Sequence, residues 1–239
     1  MQKVKKVALI LSLSILLLGA PMLARVMTNI GEYNTLDPDK AFVWISIRHT
    51  IQALIIALVM VILSKTKRID FHIGLGDKMR GIAYLKKFMV IFFAYTVIVF
   101  VITIITSSFS PFQFPLNARN ILGYMGFQLL LSGPSEELIF RAFAITMFTL
   151  LISHKRLFKH LSYANLFAAI IFALAHVVIS FSPFGLRYSL PQLGLAFGLG
   201  LIYGDCYEKT KSIIYPMIMH SFTNVIMVGL TIFITFLMP

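Results

Sequence analysis

Two adjacent glutamates, Glu136 and Glu137, lie inside the apolar stretch 121–153, and Arg141 follows one helical turn after Glu137. A carboxylate at membrane depth costs roughly 2.5–3.5 kcal/mol on insertion scales, so two in succession require a function or a compensating network. Few other ionisable groups interrupt apolar stretches: Arg48, His49, His176, Asp205 and His220, joined by the strongly polar Asn224. Three pairs repeat one spacing: Glu137 with Arg141, Phe172 with His176, and His220 with Asn224. An i,i+4 spacing puts both members of a pair on one helix face.

These groups have complementary chemistry. Arg141 neutralises Glu137 locally, whereas Glu136 points about 100° away around the helix and has no such partner. A carboxylate buried without a cation becomes a better proton acceptor, suited to general-base work. A histidine from another helix can share a water with it, while a second histidine and an amide donate to a developing oxyanion. Base, water and oxyanion donors are the parts of a peptide-bond hydrolase. The competing reading is structural: an ion-pair network for Glu136, Glu137 and Arg141, and interhelical hydrogen bonding for His49. Asp205 reads as an interfacial residue near a span end, and Arg48 as a cation that snorkels or faces a cavity.

The elements that must hold these groups are membrane helices. The 239 residues are 59% hydrophobic and 13% charged, with mean hydropathy +0.88. Soluble domains are about 45–50% apolar and about 25% charged. Seven stretches approach the roughly 20 apolar residues of a crossing: 7–27, 41–64, 88–107, 121–153, 162–181, 190–207 and 213–237. The fold class expected is an all-α polytopic membrane bundle of about seven helices. Residues 1–120 carry the first helices and a basic loop, and 121–239 form the core with all three motifs, as one structural unit. The fourth stretch is too long for one straight crossing, and Gly133-Pro134 predicts a kink or break there, with Ser135 capping a restarted helix. Gly194, Gly198, Gly200 and Gly204 predict close helix packing along the sixth stretch.

The net charge of +12 is unevenly spread. Lysines and arginines crowd the N-terminus and the connections 65–87, 155–159 and 209–211, whereas the opposite connections carry Lys40, Arg119 and Arg187 beside Glu32, Asp37 and Asp39. This bias places the N-terminus in the cytoplasm and the C-terminus outside, favours contact with anionic lipids and makes nucleic acid an unneeded partner. The 65–87 loop reads as a basic element lying on the membrane surface. The first stretch resembles a signal peptide but lacks a good A-x-A site, so it reads as an uncleaved anchor. Cys206, the single cysteine, excludes an intramolecular disulfide.

Glu136-Glu137…Arg141, Phe172…His176 and His220…Asn224, in that order on apolar segments, resemble the motifs of the CPBP family. That family comprises type II CAAX prenyl endopeptidases and bacterial proteins of bacteriocin processing and self-immunity. The resemblance spans about 123–228 and implies an intramembrane glutamate-type endopeptidase. By position, Glu136 and His176 would activate the attacking water, and His220 and Asn224 would form the oxyanion hole. Glu137, Arg141 and Phe172 would support them. It implies a membrane-associated peptide or protein as substrate and no cofactor. Zinc is the competing proposal, since two histidines and a glutamate can hold it, but the chain has no His-Glu-x-x-His helix. Two other functions compete: a non-catalytic peptide-binding or bacteriocin-immunity membrane protein, and a small proton-coupled transporter. The lysine-rich loops point to a bacterial plasma membrane. The cavity is expected to face the cytoplasm, although His220 would lie roughly 10 Å and His176 roughly 21 Å from the cytoplasmic ends of their spans.

Overall fold

A computed structural model describes residues 2–181 and 183–238. Among them are seven helices: α1 (Gln2–Thr28), α2 (Val43–Lys67), α3 (Lys78–Ile105), α4 (118–151), α5 (Tyr163–Leu174), α6 (Leu190–Thr210) and α7 (Ile214–Leu237). The fold is the all-helical bundle that composition predicts, and the chain is an integral membrane protein. Lys3–Thr28, Val43–Lys67, Lys78–Ile105 and Ile214–Leu237 are each long and apolar enough to cross a membrane. Two short hairpins complete the structure: β1 (Arg156–Phe158) with β2 (Leu161–Ser162), and β3 (Val178–Phe181) with β4 (Phe184–Arg187).

The expected break in α4 is absent. The helix runs through Gly133-Pro134 with right-handed helical dihedrals, flanked by two π-turns, Gln128–Ser132 and Leu138–Phe143. Pro134 cannot donate to the carbonyl one α-turn back, and its ring crowds that carbonyl. The wider i→i+5 turn relieves both problems without bending the chain away. Ser135 consequently caps nothing. Its hydroxyl donates to the Ser132 carbonyl at 3.1 Å and faces α2. The glycine serves contact instead, because a Cβ at Gly133 would sit 2.8 Å from the Ser221 amide nitrogen of α7.

The fifth expected crossing is also revised. α5 covers only Tyr163–Leu174, about 18 Å at 1.5 Å per residue, well short of a hydrocarbon core of about 30 Å. Val177, Val178 and Ile179 favour extended backbone, and Pro183 supplies a turn residue, so the segment after His176 forms β3–β4. Apolar β-branched runs and apolar helices have the same hydropathy, which is why composition alone misassigns them.

The basic loop is shorter than expected and does not lie flat. Lys65 and Lys67 end α2, Lys78–Lys87 begin α3, and the piece between docks beneath α6 and α7. Phe71 is buried and stacks on Phe143 at 6.0 Å. The Tyr207 hydroxyl donates to the Phe71 carbonyl at 3.2 Å, and the Asp77 amide donates to the Thr210 carbonyl at 2.7 Å. The glycine expectation holds in half. A Cβ at Gly200 would sit 3.2 Å from Ala169, and one at Gly204 would collide with Asn165, while Gly194 and Gly198 border open space.

At the opposite end, Asp37 organises the start of α2. Its carboxylate accepts from the backbone amides of Ala41 (2.9 Å), Phe42 (2.7 Å) and Val43 (2.8 Å). Burial alone would raise its pKa, but these three donors and nearby Arg119 outweigh it and hold the carboxyl below its ordinary value. The resulting stability is present above the unfolded Asp pKa of about 4 and is lost as pH falls through the lower folded value. Asp37→Asn is expected to melt earlier than wild type at pH 7, and the difference should shrink towards pH 3. Thermal unfolding in detergent at the two pH values checks this.

Candidate active site

The three motifs converge on one cavity of about 350 Å³, lined among others by Arg48, His49, Glu136, His176, His220 and Asn224. That volume lies at the low end of the roughly 300–1,000 Å³ of ligand pockets. The π-turns bracket the five residues Gly133–Glu137, so both glutamates sit where α4 is locally rewound. π-turns of this kind are frequent at functional positions.

The two glutamates have different surroundings. Glu137 is fully buried, and its Oε1 lies 2.8 Å from the Arg141 guanidinium and 2.7 Å from His220 Nδ1. Arg141 is itself 1% exposed, with its guanidinium carbon 4.3 Å from the Phe172 ring centre and 5.3 Å from that of Tyr203. Ring faces partly replace the water that this cation has lost. Glu136 is 17% exposed, opens to the cavity and has no guanidinium or ammonium within 4.0 Å among the described residues. Its nearest charged-group contacts are His220 Nε2 at 3.7 Å and His49 Nδ1 at 4.0 Å.

The imidazoles are held in defined orientations. A carboxylate can only accept, so His220 donates its Nδ1 proton to Glu137 and turns Nε2 towards Glu136. Its ring stacks on Tyr203 at 5.2 Å and meets the Phe172 edge at 5.8 Å. His176 donates Nδ1–H to the Phe172 carbonyl at 2.8 Å, which leaves Nε2 as its acceptor. It lies just beyond the end of α5, where the chain turns, with its ring 4.9 Å from Phe172. Phe172 therefore bridges the two histidines. His176 lines the cavity without approaching Glu136 within 4.0 Å. Asn224 donates one amide proton to Ser132 Oγ at 3.0 Å, and the other remains to serve a ligand.

Several participants are not evident from the motifs. His49, assigned an interhelical hydrogen-bonding role from sequence, does bond Ser135 Oγ at 2.9 Å, yet it also flanks Glu136. Gln52 joins that cluster, 3.1 Å from His49 Nδ1 and 3.3 Å from Ser135 Oγ. The signal for it is the run Arg48-His49 with Gln52 three residues on, a polar i,i+3 pair in an apolar segment. Arg48 lines the cavity rather than reaching the interface. Asp205 lies apart, held by Lys209 at 2.8 Å and by the Tyr84 hydroxyl at 2.5 Å. Among the described residues no three His, Cys, Asp or Glu side chains are arranged to hold a metal ion.

The lining also includes Pro21, Ile45, Val178 and Gln192, of which Val178 and Gln192 are exposed and lie beside the β3–β4 hairpin. The basic connections at the other end contribute no lining residue. The exposed lining residues thus lie beside the β3–β4 hairpin and not beside the lysine-rich loops, where the sequence places the opening.

The class defined by this fold and site is an all-helical integral membrane protein with one carboxylate and two motif histidines lining a cavity and a second carboxylate buried beside them. Residues 118–226 match the family model of Rce1-like type II CAAX prenyl endopeptidases, in agreement with the resemblance that the motifs carry. The matched stretch includes α4 to most of α7 and every motif residue, and it supports a membrane protease. No curated protein and no solved structure matches the chain.

Proposed function

We propose that the protein is a glutamate-type intramembrane endopeptidase that hydrolyses a peptide bond in a membrane-associated peptide or protein. The observation that carries this reading is the unequal treatment of the two carboxylates. Glu137 is neutralised by Arg141 and spends its remaining contact orienting His220, while Glu136 faces the cavity between two imidazoles. Glu136 takes a proton from a water, and the water oxygen adds to the scissile carbonyl carbon. The oxyanion formed accepts from the free Asn224 N–H and from His220 Nε2–H. Because Glu137 fixes the other proton on Nδ1, an Nε2–H donor requires His220 as imidazolium. His176, with a free Nε2, shares the water with Glu136, and the proton passes to the departing amine nitrogen as the C–N bond breaks.

This chemistry requires no metal, and its partners are the peptide substrate and a bilayer with anionic lipids at its basic face. Comparison of membrane peptides from cells carrying wild-type protein or Glu136→Ala tests it. A peptide that accumulates uncut in the variant supports the proposal and identifies the substrate, prenylated or not. Identical peptide profiles from equal amounts of inserted protein count against it and favour a binding or immunity role.

A further inference from the structure

We infer that the cavity receives its substrate from the extracytoplasmic side, a deeper claim that rests on the peptidase reading for its meaning but not for its test. Two independent observations converge. The first is where the cavity opens: its exposed lining residues Val178 and Gln192 lie in β3 and at the start of α6, beside the β3–β4 hairpin, and Ile45 lies near the start of α2. Of these, Val178 is 38% exposed and Gln192 is likewise open to the surroundings. The floor, with Phe140, Phe172 and His220, is buried.

The second observation is the charge distribution. Lys65, Lys67, Lys155, Arg156, Lys159 and Lys211 all gather at the end remote from the mouth, where the N-terminal lysines also lie. The connections at the mouth end carry Glu32, Asp37 and Asp39 against few cations. A lysine and arginine bias of this kind marks the cytoplasmic side, so the mouth faces outward. Gln192, Arg48 and Gln128 line the cavity together with Glu136 and offer donors to an extended backbone. The substrate class is therefore a peptide, or the tail of a protein, exposed at the outer surface of the membrane.

Cys206 is buried, so a Cys206→Ala background leaves a clean surface for single-cysteine labelling. Gln192→Cys and Val178→Cys report the mouth, and Lys155→Cys reports the basic end. Each is treated with a membrane-impermeant maleimide in intact spheroplasts and again after permeabilisation. The expected result is labelling of both mouth cysteines in intact spheroplasts and of Lys155→Cys only after permeabilisation. The reverse pattern, or labelling of both ends in intact spheroplasts, overturns the inference. Repeating the assay with Glu136→Ala separates the two claims, since access should be unchanged where cleavage is lost.

Discussion

Glu136→Gln is expected to lower kcat for peptide cleavage by about 10²–10⁴-fold, the usual worth of a positioned general base. KM and thermal stability should change little. Glutamine keeps the shape and one acceptor oxygen, so His49 and His220 retain a neighbour at 4.0 and 3.7 Å while the proton acceptor is lost. An effect on kcat without an effect on KM marks an interaction used in the transition state and not in binding. His176→Gln should follow the same pattern, because the Nε2 that would share the water is removed. His49→Gln should cost less, since His49 is already engaged by Ser135 and Gln52. Cleavage of a synthetic peptide by purified variants, with melting curves alongside, provides the measurement.

The second large effect is on stability. Arg141→Leu is expected to destabilise the protein by about 3–5 kcal/mol, because it strands the Glu137 carboxylate where no water reaches it. It also removes the cation from between the Phe172 and Tyr203 rings. Combining it with Glu137→Gln should restore most of the loss, since no uncompensated charge then remains buried. Activity should not return with stability, because an amide at position 137 can present either a donor or an acceptor to His220 Nδ1 and no longer fixes its proton as an acceptor-only carboxylate does. Unfolding of the wild type and the single and double variants in detergent, read beside their cleavage rates, separates the two roles of this pair.

Much of the site is legible in the sequence because membrane burial makes polar residues conspicuous. Glu136, Glu137, Arg141, His176, His220 and Asn224 stand out against apolar neighbours, and the i,i+4 spacing alone predicts the Glu137–Arg141 contact seen at 2.8 Å. Residues whose roles are tertiary are harder to read. His49 lies far from the motifs in sequence, and only the packing of α2 on α4 brings it to Ser135 and Glu136. The path of α4 at Pro134 is not legible because a proline in a helix has two outcomes, a break or a widened turn. The choice depends on contacts such as Gly133 against Ser221. The end of α5 is hidden for another reason: hydropathy sums the apolar character of Val177, Val178 and Ile179 and ignores their preference for extended backbone.

Everything proposed for the site depends on Glu136 activating water and not attacking the peptide itself. The decisive measurement is single-turnover cleavage by purified protein in heavy-oxygen water, with a chelator present. One heavy oxygen should enter the new C-terminal carboxyl, no acyl adduct should appear on Glu136 by intact mass, and Glu136→Gln should give no product on the same timescale. An acyl adduct trapped on Glu136, loss of cleavage on chelation, or an undiminished rate in folded Glu136→Gln would contradict it.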